Sequence, residues 1–212
     1  MVKSKEIFVH FGGSYAGPAP KEFLNFDSSP TLRFEKIPLI GKLYKKNKSY
    51  FPKNVIYGDI VKGLPLHENS IKGIYCSHVL EHLALNELRK SLKNVYKLLK
   101  KNGVFRAVLP DMKSHSIKYA NGEISSIEYL KATGLGTLNR NKSFKELIIN
   151  HFGGSKHLWM WDFSSMKTEL LNCGFLKIRE ASFNDSLNEE FKLVETESRW
   201  KDEPVIGFEA IK

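Results

Sequence analysis

The sequence predicts an α/β fold built on a mostly parallel sheet, and three observations support this. Short apolar runs typical of strands alternate with segments of helical periodicity. Most of these runs end in glycine or a polar residue, as strands do where they enter turns. The run IKGIYCS at 71–77 is almost continuously apolar, as expected of a strand buried on both faces of a parallel sheet. The 212 residues suit a single domain spanning 1–212.

The composition excludes a membrane-spanning or disulfide-rich class. No apolar run approaches the ~18 residues of a membrane span, and MVKSKEIFVH lacks the apolar core of a signal peptide. Cys76 and Cys173 lie far apart in apolar segments, which favours two free thiols in a reducing compartment. We therefore expect a cytoplasmic protein.

The formal net charge of +10 is concentrated in two places. Residues 41–54 hold five lysines, and residues 93–103 hold four more. The second group falls where a helix is expected to end, and cations there complement the helix dipole. The first group is either a solvated loop or one that contacts an anionic substrate.

The first part of the chain predicts four strands. EIFVHFGG runs into a glycine turn, EFLNFDSSP stops at Asp27 with Pro30 as a breaker, NVIYGDI is the third strand and IKGIYCS the fourth. Between the first two strands, YAGPAPKE has no helical pattern. Residues 31–53 are basic and aromatic without clear periodicity, and we interpret them as an insertion loop.

A long amphipathic helix is predicted for NELRKSLKNVYKLLKKNG, with Asn86 as its cap and Gly103 as its end. Its apolar face consists of Leu88, Leu92, Val95 and Leu99. VFRAVLP then reads as a strand. Helical segments are expected around 112–120, 125–132 and 143–150.

The last part of the chain predicts one helix and two closing strands. In FSSMKTELLNCGF, Ser164 or Ser165 caps the helix and Gly174 ends it. Its inward residues are expected to be Met166, Leu170 and Leu171. LKIREASF and PVIGFEAIK close the sheet.

Polar residues follow the predicted strands in chain order. These strand-end residues are Gly12-Gly13-Ser14, Asp27, Asp59-Ile60, Ser77-His78 and Pro110-Asp111. In an open α/β sheet, ligands bind outside the carboxyl ends of the strands. Glycine lets the backbone approach a ligand closely, and a carboxylate can accept both hydroxyls of a ribose. The set predicts a site for a nucleoside-containing cofactor.

The chain resembles the class I S-adenosylmethionine-dependent methyltransferases, specifically the small bacterial, methyltransferase-11-like proteins with an HVLEHL segment. The matching segments are VHFGGS (9–14), FLNFDSSP (23–30), residues 54–83, VYKLLKKNGVFRAVLPD (95–111) and HLWMWDFSSMKTELLNCGF (157–175). The resemblance implies a Rossmann-like sheet, mostly parallel with an antiparallel C-terminal strand, and helices on both faces. It also implies methyl transfer from S-adenosylmethionine.

The same resemblance implies roles for the strand-end residues. Gly12, Gly13 and Ser14 would surround the methionine portion of the cofactor, with serine in place of the usual second glycine. Asp27, followed by Ser28, would hold the ribose hydroxyls. Gly58, Asp59 and Ile60 would lie against adenine. Ser77 and His78 would face the cofactor near the reactive centre.

The string His78-Val79-Leu80-Glu81-His82 also reads as H-x-x-E-H, an inverted zinc-protease signature. Zinc binding by that signature needs one helix to present both histidines, together with a distal ligand. His78 directly follows an apolar strand, so we expect no metal at His78 and His82. Glu81 and His82 would then cap or pack at a helix start, and His78 would line the active site.

A second polar cluster contains His157, Trp159, Trp161 and Asp162, with His151 nearby. It either packs in the core or covers the substrate pocket. If a general base is used, its pKa should lie near the working pH, which favours histidine. The candidate catalytic residues are therefore His78, His157 and Asp162.

The acceptor is expected to be a small molecule or saccharide, methylated on oxygen or nitrogen. The basic loop at about 31–53 and a substrate-covering segment at about 112–162 would border it, and the lysines there would favour an anionic acceptor. Two alternatives remain open: a non-catalytic methyltransferase-like binding module, and a nucleic-acid methyltransferase. A nucleic-acid methyltransferase ranks below one with a small-molecule or saccharide acceptor, because the sequence has no N-P-P-Y-type acceptor motif and no appended RNA-binding domain.

Overall fold

The computed structural model describes residues 6–12, 17–38, 50–136 and 156–212. Its centre is one seven-stranded sheet in the order β3-β2-β1-β4-β5-β7-β6. The strands are β1 (Ile7–Phe11), β2 (Phe23–Asp27), β3 (Val55–Tyr57), β4 (Ile71–Ser77), β5 (Leu99–Pro110), β6 (Leu176–Glu180) and β7 (Val205–Ile211). Strands β1 to β5 run parallel to one another, and β7 is antiparallel to both β5 and β6. The predicted fold class is confirmed.

Short helices surround this sheet. They are α1 (Pro30–Glu35), α2 (Leu85–Leu98), α3 (Met112–Ala120), α4 (Ser126–Ala132), α5 (Phe163–Cys173) and α6 (Ser198–Lys201), with 3-10 turns at Leu80–His82 and Glu189–Leu193. Within the described ranges, no helix has both the length and the apolar character needed to cross a membrane.

The two faces of the sheet carry separate apolar clusters. On one face, α2 and α5 bury Leu88, Leu92, Met166 and Leu170 against the strands. On the other face, Phe8, Tyr75 and Val108 pack with Phe191 of a 3-10 turn and Trp200 of α6. Because β4 is covered on both sides, its near-continuous apolar run is explained.

Arg106 of β5 is a charged exception on the second face. Its side chain is fully buried and forms ion pairs with three acidic residues. Its Nη1 lies 2.9 Å from Oδ1 of Asp185 and 3.1 Å from Oε1 of Glu209, and its Nε donates to Glu195. The guanidinium therefore links β5 and β7 to the segment between β6 and β7.

The prediction of a loop over 31–53 was wrong for its first residues, which form helix α1. Helix α1 begins at Pro30, and the hydroxyl of Ser29 accepts a hydrogen bond from the Thr31 N–H. Proline is favoured in the first helical turn, where its missing N–H has no intrahelical partner to lose. Pro30 therefore starts a helix here. Residues 39–49 lie outside the described part of the chain.

The predicted ends of the long helix were also wrong. Helix α2 starts after Ala84, whose N–H donates to the Glu87 carboxylate, so Asn86 is not the cap. It ends at Leu98, and Leu99 already pairs with Ile71 in the sheet. Lysines near residue 100 therefore lie in β5, because strand pairing with β4 overrides the local helical pattern.

In α5 the predicted cap was wrong, while the predicted end is confirmed. Asp162 Oδ1 accepts the Ser165 N–H at 2.7 Å, so Asp162 is the cap rather than Ser164 or Ser165. Gly174 ends the helix with φ of 105°. Met166 and Leu170 are buried as predicted, but Leu171 is 51% exposed.

The remaining predictions concern the helices after β5 and the two cysteines. The segments 112–120 and 125–132 are helical as α3 and α4, whereas 143–150 lies outside the described residues. Cys76 and Cys173 are both free, the first buried and the second half-buried.

Candidate active site

The carboxyl ends of β1, β2 and β3 are joined by backbone hydrogen bonds. Gly12 N donates to the Phe26 carbonyl at 2.9 Å, and Gly58 N donates to the Asp27 carbonyl at 3.1 Å. The residues predicted after these strands therefore share one edge of the sheet. Gly13 and Ser14, which were predicted to extend this edge, lie outside the described residues.

Close packing demands glycine at two positions of this edge. Gly12 has φ of +75°, and a Cβ there would lie 2.2 Å from Cγ2 of Val79. A Cβ on Gly58 would lie 2.4 Å from Cδ1 of Phe26. Only glycine brings the backbone this close to its neighbours without a clash.

Asp27 is a nearly buried carboxylate at the end of β2. Its Oδ1 accepts the Ser29 N–H at 2.7 Å, and Oδ2 accepts no hydrogen bond from any residue in the described ranges. Burial raises the pKa of Asp27, and the Ser29 hydrogen bond opposes this effect. Ser28 beside it is exposed. Among the described residues, no donor competes with a ligand for the second carboxylate oxygen.

Asp59 and Ile60 follow β3 and differ in their surroundings. Asp59 is half-buried, and its Oδ1 accepts the Val61 N–H at 2.9 Å. The side chain of Ile60 is buried in the apolar cluster beneath α2, and its carbonyl accepts a hydrogen bond from Asn94 at 2.7 Å. At this edge, Asp59 offers a polar side chain, whereas Ile60 packs inward.

His78 directly follows β4 in an unusual conformation. Its φ is 52°, the left-handed region that non-glycine residues seldom occupy and that often marks functional sites. Nδ1 lies 3.1 Å from the Ser77 hydroxyl, and Nε2 lies 3.1 Å from Oε1 of Glu203. Burial, and after it the charge of Arg199, lower the pKa of His78, so the ring is neutral at pH 7.

A cavity of about 440 Å³ opens beside His78. Of the predicted site residues, it brings together Gly12, Ser77 and His78. Within the described part of the chain, the predicted residues after β2 and β3 do not line it. They lie further along the same edge.

The cavity also contains residues that the sequence argument missed. They include His10, Arg199 and Glu203. Burial lowers the pKa of His10 to about 4, although hydrogen bonds with the Asn25 side chain and the Pro18 carbonyl oppose the effect. Arg199 and Glu203 precede β7, and because β7 runs antiparallel, its amino end lies at the carboxyl ends of β1 to β5. In the sequence, the polar string SRWKDE before a closing strand was the feature that could have indicated Arg199 and Glu203.

His157 and Asp162 are not brought together with His78. His157 lies against His82, with 5.0 Å between the ring centroids, and its Nδ1 donates to the Thr133 carbonyl at 2.8 Å. Asp162 caps α5 and lines a different cavity with Asp111. The catalytic roles suggested for His157 and Asp162 stay predictions.

The two tryptophans of this second cluster are placed differently. Trp161 is buried in the core, whereas Trp159 is 44% exposed. The packing interpretation therefore fits Trp161, and Trp159 remains at the surface.

Glu81 and His82 lie in the 3-10 turn after His78. Glu81 is fully buried, and burial raises its pKa to about 8. His78 and His82 point to different partners, since His78 contacts Glu203 while His82 contacts Glu81 and His157. Only Val79 lies between His78 and the 3-10 turn, so His78 is not part of the turn that carries Glu81 and His82.

Comparison with known proteins agrees with this architecture. Residues 22–107 match a family model described as a methyltransferase domain. No match was found among the curated proteins. The matched range covers β2 to β5, which carry most of the strand-end residues described above.

Solved structures of methyltransferases share the fold at low sequence identity. An S-adenosylmethionine-dependent methyltransferase from Thermotoga maritima is 13% identical with a TM-score of 0.51, over 100% of this chain and 84% of that chain. Phosphoethanolamine N-methyltransferase 2 from Haemonchus contortus, solved with S-adenosylmethionine, is 14% identical with a TM-score of 0.50, over 100% and 50%. The CurJ carbon methyltransferase is 12% identical with a TM-score of 0.50, over 100% and 50%.

The family match supplies what fold similarity alone does not. Its range carries Asp27, Gly58 and His78 on strands whose order and direction are those of this fold. Residues 22–107 therefore match a methyltransferase domain, and the chain as a whole has the fold of S-adenosylmethionine-dependent methyltransferases.

Proposed function

We propose that this enzyme methylates an oxygen or nitrogen atom of a small molecule or saccharide bound beside His78. The observation that carries the proposal is the cavity that His78 shares with Gly12. Gly12 belongs to the edge assigned to the cofactor, and His78 is a neutral histidine that follows β4, the strand beside β1. A methyl acceptor in this cavity would meet both the cofactor and a base.

On the cofactor side, Asp27 is proposed to accept the ribose hydroxyls through its open carboxylate oxygen. Gly12, with Gly13 and Ser14, would lie along the methionine portion, and Gly58 and Asp59 would lie along adenine. S-adenosylmethionine supplies a methyl group on a sulfonium, so the leaving group is already good and positioning supplies most of the acceleration.

On the acceptor side, His78 is proposed to act as the general base. The Glu203 carboxylate can only accept hydrogen bonds, so Nε2 carries the proton and Nδ1 holds the lone pair. The Ser77 hydroxyl at 3.1 Å then donates to Nδ1. An acceptor hydroxyl bound against Ser77 would lose its proton through this hydroxyl to Nδ1, and Glu203 would stabilise the resulting imidazolium.

The acceptor class follows from the cavity walls and from the charge of the chain. The cavity has charged side chains on one side, namely Arg199, Asp202 and Glu203, which suits a polar molecule rather than an apolar one. The lysines at 45, 46 and 48 support an anionic acceptor by electrostatic steering. Those lysines lie outside the described residues, so this preference rests on the sequence.

Calorimetric titration with S-adenosylmethionine tests the cofactor side. Asp27→Asn keeps the side-chain shape but removes the charge, and we expect at least a tenfold loss of affinity because charge-assisted hydrogen bonds are lost. Glu68→Gln is the matched control, since Glu68 is exposed and lies before β4, at the opposite end of the sheet. Equal affinities of a folded Asp27→Asn variant and the control would contradict the assignment.

Transfer of a labelled methyl group to panels of amines, alcohols, saccharides and phosphorylated saccharides tests the acceptor side. We expect turnover on one of these classes, lowered at least a hundredfold in kcat by His78→Gln because a positioned base contributes on the order of 10²–10⁴-fold. Transfer to RNA or DNA instead, or an unchanged kcat in His78→Gln, would contradict the proposal.

A further inference from the structure

Three side chains with metal-ligating atoms meet beside the proposed active site. Glu81, His82 and His157 each offer one ligand atom, and these atoms all lie within 4.8 Å of one another. Oε1 of Glu81 lies 3.9 Å from Nε2 of His82. An ion placed between them would be reached by all three after small side-chain movements.

The backbone holds the two halves of this cluster together. The carbonyl of Glu81 accepts hydrogen bonds from the Leu158 N–H at 2.7 Å and the Trp159 N–H at 3.2 Å. In the other direction, Nδ1 of His82 donates to the Lys156 carbonyl at 3.0 Å. The segment that carries His157 is therefore attached to the 3-10 turn that carries Glu81 and His82.

Both imidazoles are oriented with Nδ1 toward a backbone carbonyl. Nδ1 of His82 faces the Lys156 carbonyl, and Nδ1 of His157 faces the Thr133 carbonyl at 2.8 Å. A carbonyl can only accept, so each Nδ1 carries the proton and each Nε2 holds the lone pair. Metal-binding histidines typically donate their second nitrogen to a carbonyl or carboxylate in this way.

The backbone at Gly134 also accommodates the ring of His157. Gly134 has φ of +66°, and a Cβ there would lie 2.7 Å from Nδ1 of His157. A larger residue would displace the ring from its hydrogen bond with Thr133. The position of His157 is therefore determined by its neighbours on two sides.

Glu81 is the independent sign that a ligand belongs here. Its side chain is fully buried, and neither carboxylate oxygen has a hydrogen-bond partner within the described residues. A buried polar group without a partner costs stability. A cation between the carboxylate and the two imidazoles would satisfy it. Of the charged residues nearby, Arg199 opposes a cation and Glu203 favours one.

We propose that Glu81, His82 and His157 bind a divalent transition-metal ion of the Zn²⁺ class through one carboxylate oxygen and two Nε2 atoms. Two histidines and one glutamate form a donor set that zinc uses in sites with an open fourth position. Mg²⁺ and Ca²⁺ prefer oxygen ligands and fit this set less well. The remaining position would take water.

The proposal differs from the zinc signature considered in the sequence. That signature pairs His78 with His82, and we expected no metal there. In the structure His82 instead lies with Glu81 and with His157, which is distant in sequence. The proposal therefore departs from the expectation of no metal at His82, and it replaces His78 with Glu81 and His157 as the other ligands.

The test uses tag-free protein freed of metal with a chelator and titrated with ZnCl₂ by calorimetry, without S-adenosylmethionine. We expect one Zn²⁺ per chain in the wild type, and binding at least tenfold weaker in His157→Ala and in His82→Ala. His67→Ala is the matched control, because His67 is exposed and lies before β4, away from the cluster. Its affinity should equal that of the wild type.

A second measurement keeps the test decisive if a variant is poorly folded. Zn²⁺ should raise the Tm of the wild type and of His67→Ala, since a ligand that binds the folded state stabilises it. It should not raise the Tm of Glu81→Gln, which retains its side-chain volume. No stoichiometric binding by the wild type, or equal binding by His157→Ala and His67→Ala, would overturn the proposal. Neither outcome depends on the proposed acceptor.

Discussion

Nε2 of His78 lies 3.1 Å from Oε1 of Glu203, a residue 125 positions later in the chain. The contact joins the end of β4 to the segment before β7. Ser77 is also hydrogen-bonded to His78, and Arg199 and His157 act on it electrostatically. If His78 is the base, Glu203 sets both its orientation and its protonation.

Glu203→Gln should therefore change the pH dependence of methyl transfer. The pKa of His78 is already below its ordinary value because of burial, and the Glu203 charge partly opposes that decrease. A base works when it is unprotonated, so activity rises with pH through this pKa. Removal of the charge should lower the pKa further, move the acidic limb of kcat to lower pH and reduce its plateau.

The pH profile of kcat measures this effect. Glu197→Gln is the control, because Glu197 pairs with Lys201 at the surface and should leave the limb in place. A limb that stays unmoved in Glu203→Gln, or that moves to higher pH, would contradict the role of His78.

Gly12→Ala should be more damaging than Gly122→Ala. Both glycines have similar positive φ values, +75° and +73°. A Cβ on Gly12 would clash with Val79, whereas nothing lies within 4 Å of a Cβ on Gly122. Gly122→Ala should therefore lower the free energy of unfolding only by the cost of a left-handed alanine, about 1–2 kcal/mol.

Urea unfolding of both variants separates the two effects. Gly12→Ala should lose more stability than Gly122→Ala, and it should also bind S-adenosylmethionine more weakly. The double variant Gly12→Ala, Val79→Ala should recover part of the difference by removing the clash. Equal stabilities of the two single variants would show that contact with Val79 is unimportant.

Arg106→Met should strongly destabilise the fold. Removing one partner of a buried ion pair leaves the others uncompensated and costs roughly 3–5 kcal/mol. Glu195 would remain buried without its guanidinium partner, whereas Glu209 would keep its contact with Arg179. The free energy of unfolding in urea, measured near pH 7, gives this cost.

Arg89→Met is the comparison for an exposed pair. Arg89 contacts both carboxylate oxygens of Glu169, at 3.0 and 2.8 Å, but its side chain is 49% exposed. Solvent screens such pairs, so the loss should be much smaller than for Arg106→Met. Losses of similar size would mean that burial does not determine the strength of the Arg106 network.

The strands could be predicted well because burial dictates their composition. β4 spans Ile71–Ser77 as the apolar run indicated, and the strand-end positions of Gly12, Asp27 and His78 followed from the parallel arrangement. The end of α2 could not be predicted from the sequence, since the helical pattern continues into residues that pair with β4. Pro30 was misread because proline is compatible with both a break and a first helical turn.

The rest of the candidate site depends on long-range contacts that leave no local pattern. Arg199 and Glu203 reach the cavity only because β7 runs antiparallel. His157 reaches Glu81 only because the backbone of Leu158 and Trp159 bonds to the 3-10 turn. The spacing of H-x-x-E-H drew attention to His78 and His82, whereas the 3-10 turn groups Glu81 and His82 with a distant histidine.

The insertion of β7 between β5 and β6 has a consequence for how the protein is made. β6 pairs only with β7 in the described sheet, so it emerges from the ribosome before its neighbour does. At about 5–20 residues per second, synthesis of the intervening segment takes on the order of seconds. During that interval the open edges of β5 and β6 would expose unpaired backbone groups to other nascent chains. Pairing of β7 thus covers the open edges of β5 and β6 together, and it brings Arg199 and Glu203 to the cavity in the same event.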